Sequence, residues 1–186
     1  TRYNTDGTID NTYGNNGTAS AVFNGTGNDF LAAAAIGADG KAVAAGFTFN
    51  GAKQNNDFCV ARFTINGKPD NSFNGNGRVI TSLGVNADEQ YLTVAVQPDG
   101  KIVAAGYSGV TSTVSTVIRY NTDGSLDTGF GDKGIVRTDF GSIGSIIYAI
   151  TIQPDGKIIA AGSNLTAGLK NKITLARYNT DGTLDN

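Results

Sequence analysis

The stretch Gln97-Pro98-Asp99-Gly100-Lys101-Ile102-Val103-Ala104-Ala105-Gly106 returns as Gln153-Pro154-Asp155-Gly156-Lys157-Ile158-Ile159-Ala160-Ala161-Gly162. A weaker copy stands at Gly37-Ala38-Asp39-Gly40-Lys41-Ala42-Val43-Ala44-Ala45-Gly46. In the two strong copies proline presets φ at the first turn position and aspartate suits the second. Glycine accepts the left-handed position of a bulged hairpin. The apolar run after each turn then reads as a strand, rich in Val, Ile and Ala on both faces, as in a strand buried on both sides.

Two further anchors lie outward of this one. Arg2-Tyr3-Asn4-Thr5-Asp6-Gly7 recurs as Arg62-Phe63-Thr64-Ile65-Asn66-Gly67, as Arg119-Tyr120-Asn121-Thr122-Asp123-Gly124 and as Arg177-Tyr178-Asn179-Thr180-Asp181-Gly182. The arginines stand 60, 57 and 58 residues apart. An aromatic-glycine element follows the first three, at Tyr13–Gly17, Phe73–Gly77 and Phe130–Gly134. Three anchors in fixed order and near-fixed spacing define a tandem repeat, which governs every later reading.

Each repeat reads as four strands. The first follows the aromatic-glycine element (Gly77–Ser82, Ile135–Thr138), and the second precedes the Pro-Asp-Gly turn (Tyr91–Val96, Tyr148–Ile152). The third follows the turn (Lys101–Gly106), and the fourth runs into the arginine (Ser115–Tyr120, Lys172–Tyr178) after a variable loop. Strands two and three are the apolar ones and are expected at the centre, with one and four at the rim. The expected architecture is all-β, a β-propeller-like array of three four-stranded antiparallel blades plus an orphan N-terminal strand. The expected boundaries are an orphan strand at 1–5 and blades at 17–63, 77–121 and 134–179, in a single repeat domain spanning 1–186.

The units Arg-Tyr-Asn-Thr-Asp-Gly-Ser/Thr-Leu-Asp, Phe-Gly-Xaa-Xaa-Gly and Gln-Pro-Asp-Gly-Lys-Ile resemble the delta-60 repeat of bacterial proteins, over essentially the whole chain. The resemblance implies large, secreted or surface-located repeat proteins of propeller-like fold, and brings no catalytic residues with it. The first copy departs from the pattern at Ile36-Gly37-Ala38 and in its Ala-rich strands, as terminal or interface repeats tend to do.

Composition narrows the function. The 186 residues include 26 Gly, 3 Pro, no His, Met or Trp, and 39% hydrophobic residues, enough to fold. The net charge is −2 and the 14 basic residues are dispersed, so nucleic acid and anionic membranes are not expected partners. No apolar run approaches the roughly 20 residues that span a bilayer. The sequence opens without Met or a signal peptide, as a segment beginning partway into a larger product would. Sequons at Asn16, Asn24 and Asn164 are at chance frequency in an Asn- and Thr-rich chain.

The candidate chemistry is thin. Asn4–Asp10, Asn121–Asp127 and Asn179–Asp185 carry oxygen side chains like part of a calcium loop. Arginine occupies the first ligand position and Tyr13 or Phe130 the twelfth, so an Asx-type turn is expected and no cofactor is assigned, with calcium the one candidate. The recurring arginine is expected to pair with the aspartate that ends each Asp-Gly-Xaa-Xaa-Asp. Cys59 stands where other copies have Thr116 and Thr174 and reads as a small strand filler, since a chain without His has no Cys-His nucleophile. Asp88-Glu89 occurs in one repeat alone. No enzyme is expected.

Three blades do not close a ring of the usual four to eight. The expectation is therefore a non-enzymatic structural module, extracellular or at the cell surface, that joins copies of itself into a filament or closed oligomer. The residues assigned to the joint are Thr1, Arg2, Tyr3 and Asn4 at one end and Ile173, Thr174, Leu175, Ala176, Arg177 and Tyr178 at the other. The alternative is a propeller module of a larger surface protein, a segment of a longer array, that binds glycans or proteins through the variable loops Thr48–Asp57, Ser108–Val114 and Ser163–Asn171.

Overall fold

The computed structural model describes residues 1–23, 28–84, 87–140 and 143–186. Asn24, the second sequon, lies outside the described residues. Eleven strands and no helix are found among the described residues. Sheet one contains β1 (Asp29–Ile36), β2 (Ala42–Asn50), β3 (Asn55–Phe63) and β4 (Arg78–Thr81), in that order and antiparallel. Sheet two repeats it with β5 (Asp88–Val96), β6 (Ile102–Gly109), β7 (Val114–Tyr120) and β8 (Ile135–Thr138). Sheet three has three strands, β9 (Gly144–Ile152), β10 (Ile158–Leu165) and β11 (Asn171–Tyr178). The fold is all-β and blade-like, as the repeat requires.

The sheets are cut one strand later than the sequence repeat suggests. Residues 78–81 and 135–138, read as the first strand of a blade, are the last: β4 pairs with β3 and β8 with β7. The blades therefore span residues 29–81, 88–138 and 144–178, and not 17–63, 77–121 and 134–179. Residues 1–5 form no strand, only a bridge between Tyr3 and Ile9. The cause is local. The chain turns back on itself at each Arg-Tyr-Asn-Thr-Asp-Gly unit, where Arg62 N–H donates to Gly77 O and Arg119 N–H to Gly134 O, so the next strand folds onto the one just completed.

This changes which strands are central. β3 and β7, expected at the rim, are buried along most of their length, whereas β1, β5 and β9 are sheet edges. Polarity misled because the hydroxyls of β7 are satisfied inside: Ser108 Oγ and Thr116 Oγ1 lie 2.8 Å apart. The variable loops are also shorter than expected, at residues 51–54, 110–113 and 166–170, because both flanking strands extend into them.

The Pro-Asp-Gly turns form as read. Gly100 N–H donates to Gln97 O, Gln97 N–H to Lys101 O, and Gly100 has φ +84°. A bulge interrupts each first strand between Leu31 and Ala33, between Tyr91 and Thr93, and opposite Ala161 and Gly162. There a carbonyl (Phe30, Gln90 or Ile146) closes on Gly46, Gly106 or Gly162, and a Cβ on the glycine would overlap that oxygen. This is why each apolar run ends its Ala-Ala pair with glycine.

The sheets stack face to face. Val43, Ala45, Phe58 and Val60 of sheet one meet Tyr91, Val94, Ile102 and Tyr120 of sheet two, and the Phe58 and Tyr91 rings stack with centroids 4.2 Å apart. Val103, Ala105 and Val117 on the other face of sheet two meet Ile147, Ile158, Ala160 and Tyr178 of sheet three. Alanine at the contact admits close approach, and the buried apolar area supplies most of the cohesion.

Candidate functional site: the blade joint

The recurring arginine is the centre of each joint between blades. Arg62 Nε donates to Asp70 Oδ2 at 2.8 Å and Arg119 Nε to Asp127 Oδ2 at 2.7 Å, both pairs buried. The guanidinium carbon lies 4.7 Å from the centroid of the Phe73 ring and 4.4 Å from that of Phe130. Its Nη1 crosses to the next blade, where Arg62 donates to Thr122 O at 2.6 Å and Arg119 to Thr180 O at 2.7 Å. One side chain thus closes its own turn, stacks on the aromatic and hydrogen-bonds the neighbouring blade. A backbone bond runs beside it, from Asn74 N–H to Asp123 O and from Gly131 N–H to Asp181 O.

Lysine after the Pro-Asp-Gly turn, or after its weaker copy Ala38-Asp39-Gly40, joins the same carboxylate, with Lys101 Nζ 2.9 Å from Asp127 and Lys41 Nζ 3.0 Å from Asp70. Burial pushes the Asp70 carboxyl up, but the Ser72 hydroxyl, Lys41, the Ser72 N–H and Arg62 outweigh it and hold the group at about 2. The expected Arg–Asp pairing is what the structure contains. The calcium-like loops are Asx turns: Asp123 Oδ1 accepts from Ser125 N–H at 2.9 Å and from its hydroxyl at 2.6 Å, and Asp181 does the same with Thr183. Those bonds hold Asp123 and Asp181 below the usual carboxylate range. Among the described residues no group of three or more acidic or cysteine side chains is placed to hold a metal. Cys59 is fully buried in β3 and its thiol is pushed up to about 12 by burial.

A second element of the joint was not legible as such. Asp29, Glu89 and Ser145 occupy one position near the start of β1, β5 and β9. Each reaches back to backbone of the preceding unit. Asp29 Oδ2 accepts from Phe23 N–H at 3.0 Å, Glu89 Oε1 from Leu83 N–H at 2.7 Å, and Ser145 Oγ from Ser115 N–H at 2.9 Å. Glu89 is fully buried, and burial, then the Asp57 charge, push its carboxyl up to about 7 against the Leu83 and Phe58 N–H groups and Lys53. Asp88-Glu89 therefore fastens one blade to the next: Asp88 Oδ1 takes Asn56. A third link joins hydroxyls, Thr81 to Tyr120 at 2.6 Å and Tyr120 to Tyr91 at 2.7 Å.

The residues assigned to the assembly joint fall into two sets at different blades. Arg2 repeats the inner arginines: it donates to Asp10 at 2.7 Å, lies over Tyr13 at 4.6 Å, and its Nη1 donates to Ile65 O in the turn after β3. Thr1 Oγ1 faces Thr18 Oγ1, Tyr3 is exposed, and Asn4 donates to Thr8. On β11, Ile173 is 93% exposed and Leu175 70% exposed, whereas Ala176 and Tyr178 turn inward against sheet two. Thr138 Oγ1 lies 2.7 Å from the Tyr178 hydroxyl. Arg177 pairs with Asp185, yet its side chain is 49% exposed against 7% for Arg62 and Arg119.

Register makes these exposures informative. Ile173 matches Phe58 and Ser115, and Leu175 matches Val60 and Val117, all of them buried. At the other end of the stack, Leu31, Ala34 and Ile36 of β1 are exposed although their counterparts Tyr91, Val94 and Val96 pack in the core. There an apolar groove of about 480 Å³ runs past Leu31, Ala34, Ile36, Ala42, Ala44 and Ile65. A more polar groove of about 440 Å³ lies between sheets one and two, lined by Asp39, Lys41, Arg62, Gln97 and Asp123.

No curated protein matches the chain. Residues 37–73, 97–130 and 153–186 match the family model described as "Domain of unknown function (DUF5122) beta-propeller". Each match begins at the Pro-Asp-Gly turn, or its weaker copy, and takes in the arginine unit; together the three cover more than half of the chain, which therefore belongs to this β-propeller family.

Proposed function

We propose that this chain is a non-enzymatic structural module, working outside the cell or at its surface, that joins copies of itself through its open blade faces. The observation that carries the reading is Leu175. It stands 70% exposed beside Ile173 at a position that is fully buried, as Val60 and Val117, wherever a following blade is present. The open face of sheet one offers a groove lined by alanine and isoleucine on the opposite side of the stack. Exposed apolar faces of this kind mark interaction sites. Two different faces that meet form a heterologous contact, which closes into a ring or continues as a filament. Light scattering after size exclusion, over a range of concentrations, tests this. Association that grows with concentration and is lost in Leu175→Asp supports it, and a monomer at all concentrations overturns it.

A second reading, a module that binds glycans or proteins, draws on the polar groove between sheets one and two, where the Gln97 side-chain carbonyl is buried without a partner among the described residues. Binding on a glycan array that Gln97→Leu abolishes would favour it over assembly.

A further inference from the structure

We infer that the joint between copies is a strand exchange, in which the tail Ala176–Asn186 of one copy takes the place of Thr1–Asn11 of the next. This rests on the self-association proposed above and names its contacts. The two segments are the same unit, Thr-Arg-Tyr-Asn-Thr-Asp-Gly-Thr-Ile-Asp-Asn against Ala-Arg-Tyr-Asn-Thr-Asp-Gly-Thr-Leu-Asp-Asn, identical at nine of eleven positions. Arg2 already displays the seated pose: over Tyr13, paired with Asp10, bonded to Ile65 O, with its N–H donating to Gly17 O. Arg177 has the same partner in Asp185, while no ring lies over its guanidinium among the described contacts.

The strand that follows completes the exchange. Beyond each inner Gly77 or Gly134 the chain adds β4 to β3 or β8 to β7. Beyond Gly17, Thr18 makes one bridge, to Asn15, and residues 19–22 belong to no sheet. Among the described residues β11 has β10 on one side and no strand on the other. Transferring the observed register pairs Thr18 with Ala176, Ala19 with Leu175, Ser20 with Thr174 and Ala21 with Ile173 of the neighbouring copy. Strand addition of this type satisfies the free edge of β11. It also brings Ile173 and Leu175 onto the apolar groove of sheet one, which Ala19 and Tyr13 help to line.

Cross-linking tests the register. Arg62 and Gly77 share a hydrogen bond, so alternation makes Cys59–Ile80 a close, non-bonded pair, and the matching pair across the joint is Thr174–Ser20. In a Cys59→Thr background, Thr174→Cys and Ser20→Cys chains are mixed and mildly oxidised, and linked peptides are identified by mass spectrometry. A disulfide joining positions 174 and 20 of different chains is the expected result. Association without that link overturns the exchange and leaves face-to-face self-association standing; no association of the unmodified chain overturns both. The arginines give an independent sign. Arg177→Ala is expected to weaken association about tenfold and Arg2→Ala, which loosens the competing segment, to tighten it. Equal effects of the two would contradict the exchange.

Discussion

Arg119 shows how much one residue of the repeat does. Arg119→Ala removes the Asp127 pair, the stacking on Phe130 and the bond to Thr180 O together. It is expected to cost about 2–3 kcal/mol by urea unfolding, since Lys101 still neutralises Asp127. Arg177→Ala, half in solvent, is expected to cost the isolated chain less than about 1 kcal/mol. Glu89 gives a pH dependence whose sign follows from its environment. Its ordinary value is 4.5 and its folded value about 7. Between these the folded state keeps a proton that the unfolded state has released. The Glu89 contribution to stability, on the order of 3 kcal/mol, is therefore fully present below about pH 4.5 and is lost as pH rises to about 7. Glu89→Gln, which keeps an acceptor for Leu83, should flatten that slope in denaturant titrations at pH 4.5, 6 and 7.5. The Arg–Asp pair was legible because both partners recur at fixed spacing. The role of Glu89 was not, because its repeat equivalents are Asp29 and Ser145, three chemistries that share only the ability to accept a hydrogen bond.

At the scale of the element, the bulge opposite each Ala-Ala-Gly explains why that glycine is kept. Gly106→Ala would drive a Cβ into the Gln90 carbonyl and is expected to destabilise by about 1–3 kcal/mol, measured by thermal or urea unfolding. Strand positions were read well from the turns, because Pro-Asp-Gly and the arginine unit punctuate the chain on both sides. Strand partnership was not. Whether residues 78–81 open a blade or close one depends on a reversal set by backbone bonds at Arg62 and Gly77, to which hydropathy is blind. The polar look of β7 had the same effect, since Thr116 and Ser115 satisfy their hydroxyl and backbone groups within the fold.

At the scale of the whole molecule, the same blade-to-blade contact occurs twice, from sheet one to sheet two and from sheet two to sheet three. Its two half-surfaces are left open at Leu31–Ile36 and at Ile173–Leu175. An all-β array of propeller-like blades was legible from the repeat period. Which residues line those faces became visible only with the strand register, which turns Tyr178 and Ala176 inward and leaves Ile173 and Leu175 outside. Leu175→Asp should leave the stability of the isolated chain within about 0.5 kcal/mol of the parent while abolishing self-association, because an exposed substitution acts only where a partner covers it. The most direct measurement is electron microscopy of the 186-residue chain at high concentration, beside Leu175→Asp. The account predicts filaments or closed rings in which sheet three of one copy packs on sheet one of the next, absent from the variant. Dispersed monomers in both samples, or assemblies that survive Leu175→Asp, would contradict it.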